Sequence, residues 1–231
     1  MEHIDLDGAP PVRVHVRQSA RARRMSLRVS RLDGRVTLTV PRGIRLHPAR
    51  AFATEKAAWI RAQLAGLPGR EGVELGTLLP VEGREVGVVS DVRTAYRPDA
   101  GQITVSRRVR AVGPAVAGVL KAVARERLAQ ASDRYAASLG RRYTRLVLRD
   151  TRSRWGSCSS EGVLMYSWRL ILAPPEVLEY VAAHEVAHLA EMNHGPRFWA
   201  EVARLYPGHA AERRWLRDQG ETLHRWRFEG A

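Results

Sequence analysis

Residues 12–16 alternate strictly, with Val12, Val14 and Val16 on one side and Arg13 and His15 on the other. Met25, Leu27 and Val29 repeat that period against Ser26, Arg28 and Ser30, and Val36, Leu38 and Val40 repeat it against Thr37 and Thr39. Period two marks strands with one buried face. Asp33-Gly34, between the second and third runs, predicts a tight hairpin turn. Pro48 then opens a helical stretch that sets Phe52, Trp59, Ile60 and Leu64 on one stripe. Shorter strand-like pieces follow near 73–79, 84–90 and 103–106, punctuated by Gly83 and by "PDAG" at 98–101. Residues 1–112 therefore read as a small β-rich unit with one helix.

The pattern changes after "VGP" at 112–114, and 113–231 reads as a second domain. Val116, Leu120, Val123, Leu128, Ala131, Tyr135 and Leu139 keep helical spacing up to Gly140, a C-cap candidate. Strands are expected over 144–149 and 163–172, the latter ending at Pro174-Pro175. Helical signals resume at Glu176 and run to about Met192, where "NHGP" breaks them and Pro196 can start a new helix. In that helix Phe198, Trp199, Val202, Leu205 and Tyr206 form a core stripe. The fold class expected is α+β.

Composition adds three constraints. At 45% hydrophobic and 27% charged over 231 residues, the chain can bury a substantial core. No apolar run reaches the length of a membrane span, and the N-terminus carries acidic residues with no apolar leader, so the expectation is a protein with no membrane contact. A single cysteine, Cys158, excludes an internal disulfide and fits a reducing, cytoplasmic setting. The formal charge of +14 comes almost wholly from arginine, since Lys56 and Lys121 are the only lysines. Such a surplus can draw nucleic acid, and weak contact of that kind is one expectation. Arg13, Arg17, Arg28 and Arg35 lie on or beside polar strand faces, where solvation alone accounts for them.

The chemistry concentrates in "HEVAHLAEMNH", residues 184–194. On a helix His184 and His188 share a face one turn apart, so two imidazoles can meet one zinc ion. Glu185, beside the first, can take a proton from a water at that ion. The apolar neighbours Val181, Ala182, Val186 and Ala187 argue that this helix is buried, where histidines need partners. Two residues compete as third ligand. Glu191 stays on the same face of a continuing helix, but the three groups would then span about 10 Å of axis, too far to converge on bonds near 2 Å. His194 converges only if the chain reverses first. Asn193 tolerates the left-handed conformation that ends helices, Gly195 is permissive and Pro196 forbids continuation, so His194 is favoured. A histidine at this spacing also occurs in metzincins, but Glu191 stands where their glycine is expected and no methionine follows Met192.

"RSRWGSCSSEGVLMYSWRLILAPPEVLEYVAAHEVAHLAEMNHGPRFW", residues 152–199, closely resembles the YgjP-like metallopeptidases, relatives of the SprT and WLM zincins. "RRMSLRV", "DGRVTLTVPRG" and "KAAWI" nearer the N-terminus are similar to that family as well. The resemblance implies a zincin-like fold in the C-terminal half, zinc held by His184, His188 and His194, Glu185 acting on the water, and a peptide or protein as substrate. Val186, where leucine is frequent, and Tyr166-Ser167, in place of a more polar pair, depart from the family pattern.

In zincins a strand near the active-site helix often forms a rim for an extended peptide, and Arg154, Trp155 and Ser157 are the rim candidates here. An equal alternative is that Trp155 and Cys158 pack sheet onto helix while Gly156 permits close approach. Cys158 is not expected to be a nucleophile, and His209 and His224 are expected at the surface or in a structural role, with oxyanion assistance the other possibility. The function expected is zinc-dependent peptide hydrolysis. Two alternatives stand beside it: a zinc hydrolase of a non-peptide substrate, and a basic nucleic-acid-associated module with structural zinc.

Overall fold

The computed structural model describes residues 3–30, 34–66, 69 and 71–229. It divides into two compact units, 1–69 and 70–231.

In the first unit, β1 (His3–Leu6), β2 (Val12–Ser19), β3 (Ser26–Val29) and β4 (Val36–Pro41) form a mixed sheet in the order β1-β2-β4-β3. Its alternating valines set the register. Ile4 lies opposite Val14 and Leu6 opposite Val12, while Val14 in turn is level with Val36. These side chains, with Leu38 and Val40, form one buried face, and a one-residue slip would turn them all to solvent. Helices α1 (Leu46–Glu55) and α2 (Ala57–Ala65) cover that face with Ala49, Ala53 and Ile60. The single helix expected from Pro48 onward is thus two, separated at Lys56. The second and third period-two runs pair antiparallel as expected of a hairpin, with Leu27 opposite Leu38. Of the expected turn, Asp33 lies outside the described residues, and Gly34 has φ 66°. Arg13, Arg17, Arg28 and Arg35 are exposed on the polar side of the strands.

The second unit opens with β5 (Glu71–Gly72), β6 (Leu78–Val81), β7 (Arg84–Asp91), β8 (Ala95–Arg97) and β9 (Gln102–Ser106). The last four make a sheet in the order β6-β7-β9-β8. Helix α3 (Val112–Leu139) follows and stops at Gly140, whose φ of 67° is the left-handed cap expected there. Strands β10 (Arg145–Arg149), β11 (Gly156–Cys158) and β12 (Val163–Ser167) form a second sheet, β10-β12-β11. Then come helices α4 (Pro175–Ala187), α5 (Pro196–Leu205) and α6 (His209–Gln219) and a final strand, β13 (Trp226–Arg227), which runs parallel to β5. The architecture is α+β, with six α-helices and several small sheets among the described residues.

A division near residue 112 does not match the packing. Leu79, Val88 and Ile103 from the β6–β9 sheet share one core with Leu120 and Leu128 of α3, Leu164 of β12 and Val181 of α4. The composition shift at 112 marks a change of element type within this unit. No helix among the described residues is long and apolar enough to cross a membrane.

The strand expected over 163–172 stops at Ser167 and becomes a 3-10 turn, Trp168–Leu172, whose five side chains are all buried. Five successive buried side chains carry no alternation that would separate a strand from a turn buried on every side. Arg169, 9% exposed, sits in that turn. Its guanidinium donates to both carboxylate oxygens of Asp150, at 2.6 and 3.0 Å, and to the carbonyls of Leu223 and Trp226 at 3.1 and 3.0 Å. It also lies over the rings of Trp168 and Phe228. One buried cation thus ties β10, the 3-10 turn and the C-terminal segment together.

Burial alone would raise the Asp150 carboxyl, but the hydrogen bonds and charge of Arg169 outweigh it and hold the group below the ordinary carboxylate value. Stability from this pair is therefore present at neutral pH and lost as the pH falls through the lowered value. Removing the guanidinium leaves two buried carbonyls without a donor, so Arg169→Ala is expected to cost about 3 kcal/mol in urea unfolding at pH 7. Thermal melts taken below pH 4 should show Asp150→Asn converging on the wild type.

Candidate metal centre

Helix α4 starts with Pro175 at its first position and is buried on nearly every side: Val177, Leu178, Tyr180, Val181, Ala182, Ala183, Val186 and Ala187 are all in the core. His184 is half-buried and His188 buried, one turn apart as the spacing requires. The regular helix ends at Ala187, earlier than the expected Met192. Leu189 N donates to Val186 O and Ala190 N to Ala187 O, a tightening to three-residue spacing that uses up the last carbonyls. The chain then reverses through a 2.6 Å contact from Gly195 N to Asn193 O, and Pro196 begins α5.

The reversal is not built as expected. Among the described residues Glu82 is the non-glycine residue with positive φ, and Gly195 sits at −83°, so neither Asn193 nor Gly195 uses a left-handed conformation. Tight winding after Ala187 and the proline at Pro196 do the work instead.

The turn brings the third histidine home. His184 Nε2 and His194 Nε2 are 3.1 Å apart, and one ligand nitrogen from each of His184, His188 and His194 lies within 4.8 Å of the others. His194 is exposed, so the cluster opens to solvent on that side. His188 Nδ1 pairs with the backbone carbonyl of Glu191 at 3.1 Å, leaving its Nε2 for a ligand. Glu191 therefore serves through its main chain. Phe198 of α5, fully buried, is in contact with all three imidazoles: stacked on His188 at 4.4 Å between centroids, and edge-to-face with His184 and His194 at 4.9 and 4.6 Å.

The electrostatics fit a cation. Burial and the neighbouring His188 and His194 push His184 down to about 3, and burial lowers His188 as well. Both rings are thus neutral and offer lone pairs at neutral pH. Three imidazole nitrogens with one open side could hold a metal ion and leave a coordination position free.

Glu185 follows His184 in α4, 5% exposed, against β11. Burial raises its carboxyl to about 8, with the charge of Arg154 pulling the other way. The close neighbour is Gly156: a Cβ there would lie 2.5 Å from Glu185 Oε1 and 2.6 Å from its Cγ. A glycine is required at this position by proximity, as the close-approach alternative expected.

The rim candidates divide. Arg154 is exposed and Ser157 half-buried, and both line a groove on the sheet. Trp155 turns the other way, with its ring tilted against His224 at 5.2 Å between centroids and packed on Gly220. Cys158 is half-buried against the core, and burial pushes its thiol up to about 11, which leaves it protonated and a poor nucleophile. Tyr166 is buried and bonded to Ser132 Oγ at 3.0 Å, so this departure from the family pattern serves the core. His209 stacks on Trp199, whose other ring neighbours are Phe198, His184 and His194, with Arg213 over the same indole at 4.6 Å. The core stripe of α5 concealed this second role for Phe198 and Trp199. Periodicity reports burial, not what is buried against it.

A family model described as "YgjP-like, metallopeptidase domain" matches residues 23–219, and the chain belongs to that family. Among solved structures, the metallopeptidase zymogen abylysin of Pyrococcus abyssi is similar at 21% identity, over 40% of this chain and 95% of that chain, with a TM-score of 0.36. The comparison with curated proteins gives no match.

Gly156→Ala is expected to cost about 1–3 kcal/mol by chemical unfolding, because either Glu185 or β11 must move to admit the methyl group. A variant as stable as wild type would show that the helix and strand have slack between them.

Proposed function

We propose that the chain is a zinc-dependent peptidase of zincin-like fold, with His184, His188 and His194 as the metal ligands and Glu185 as general base. The observation that carries this reading is the convergence of the three imidazoles beside a buried, otherwise unused carboxylate. Zinc held there would supply Lewis acidity toward a water and a substrate carbonyl.

The chain's own residues supply the rest. His188 is held in one tautomer by the Glu191 carbonyl, and Phe198 restrains all three rings by packing. Glu185, desolvated and with a raised proton affinity, takes the proton from the attacking water and delivers it to the leaving amine. Arg154 favours the ionised form that must act first. The exposed flank at His194 is the side from which a substrate can approach.

Two measurements test the assignment. Purified protein is expected to carry about one zinc per chain. Elemental analysis should find that His194→Ala loses most of it while Glu191→Ala keeps it, since Glu191 contributes only its carbonyl. The reverse pattern would exchange the two as ligands. Glu185→Gln should retain zinc and melting temperature but lose about two to four orders of magnitude in peptide turnover. Normal turnover in that variant would remove Glu185 from the chemistry, and loss of zinc would make it a structural residue.

A further inference from the structure

β11 is the edge of its sheet, since the order β10-β12-β11 gives it one strand neighbour. Ser167 N donates to Trp155 O at 2.8 Å and Ser159 N to Val163 O at 3.0 Å, with Ser157 level with Met165 between them. In an antiparallel ladder these alternate positions turn their main-chain groups toward β12, so Gly156 and Cys158 turn theirs toward the open edge. An extended chain laid there would run beside Gly156, and hence beside Glu185.

Side chains alternate across the same strands. Leu164 and Tyr166 of β12 point into the core. Arg145, Val147, Arg149, Ser157, Val163 and Met165 face the other way and line a groove of about 520 Å³. Arg154 stands at the same groove, near enough to Glu185 for its charge to act on that carboxyl. Three arginines and no carboxylate line it. Several arginines elsewhere in this unit are matched, Arg97 with Asp91, Arg127 with Glu82, Arg134 with Glu179 and Arg204 with Glu201. Among the described residues Arg145, Arg149 and Arg154 form no such pair.

We propose that this groove selects acidic side chains, so that the substrate is an extended peptide carrying aspartate or glutamate at alternate positions beside the scissile bond. The proposal rests on the peptidase reading and narrows its substrate class. A strand paired along β11 sends every second side chain to the groove face. Arg154 stands by β11 itself. Arg145 and Arg149 lie on β10, roughly 14 Å from the added strand, a gap that an extended arginine and an extended glutamate span together. The intervening side chains fall on the face of Glu185.

The test uses the full zinc-loaded chain and two labelled extended peptides that differ only at alternate residues, glutamate in one and glutamine in the other. Fluorescence anisotropy on the Glu185→Gln protein reads binding without cleavage. At physiological salt the glutamate peptide should bind about tenfold more tightly. Arg145→Glu with Arg149→Glu should abolish that preference, while Arg107→Glu with Arg108→Glu, which changes net charge equally, should keep it. Equal binding of the two peptides would overturn the proposal, as would equal loss in both double variants, since that reports only bulk charge. A single-stranded oligonucleotide that displaces the glutamate peptide and depends on Arg145 and Arg149 would assign the groove to nucleic acid instead. Turnover separates this inference from the one beneath it. Wild-type cleavage of both peptides at equal kcat/KM would sink the acidic preference alone, whereas selective binding with no cleavage of any peptide would leave the groove standing and remove the peptidase reading.

Discussion

Three imidazoles on one stretch of chain meet at a point only if the helix carrying two of them stops in time. The rest of the site follows from that constraint. Were α4 to continue past Ala187, His194 would be turned away from His184 and the Glu191 carbonyl would be tied into the helix ladder, with nothing left to hold His188. Shortening the hydrogen-bond spacing after Ala187 frees the carbonyl of Glu191 and points the chain back, and Pro196 ensures that it does not resume its old direction. The returning helix then sets Phe198 under all three rings. Backbone geometry and aromatic packing together set an arrangement that neither would hold alone.

The carboxylate next to His184 shows the same economy. Glu185 is buried where a carboxylate is costly, and its burial is possible because a strand passes at glycine distance. The helix thus carries a histidine cluster open to solvent and, one residue on from His184, a carboxylate closed from it.

Much of this was legible in the residues. The valine alternation of 12–16 and 36–40 shows directly as the buried face of the first sheet, and Gly140 caps its helix as its position demands. The sequence singled out His194 over Glu191 by asking where the helix must break, and the structure brings His194 to within 3.1 Å of His184. Other features left no local signal. The parallel neighbours β2 and β4 are joined across an intervening strand, and β13 pairs with β5 across nearly the whole of the second unit, Trp226 level with Glu71. Strand partners at such separation leave no period in the chain. "VLMYSWRLIL" misled for another reason: a run buried on every side carries no alternation to distinguish a strand from a 3-10 turn. The chain reverses at Asn193–Gly195, where the residues predict it, but without left-handed torsions, since residue type shows what a backbone tolerates and not what it adopts.

The pairing of β13 with β5 has a topological consequence. Glu71 N donates to the Arg225 carbonyl and Val73 N to that of Arg227, so the second unit begins and finishes side by side, with Arg169 gripping the same closing segment. A polypeptide whose two ends adjoin is nearly a ring, and a ring can be opened elsewhere at little entropic cost. Joining the neighbourhood of residue 71 to that of 227 by a short linker and cutting at an exposed turn such as that around Gly101 would give a circular permutant with every element of the histidine site in its original order in space. The same adjacency would let this unit be spliced whole into a loop of another protein.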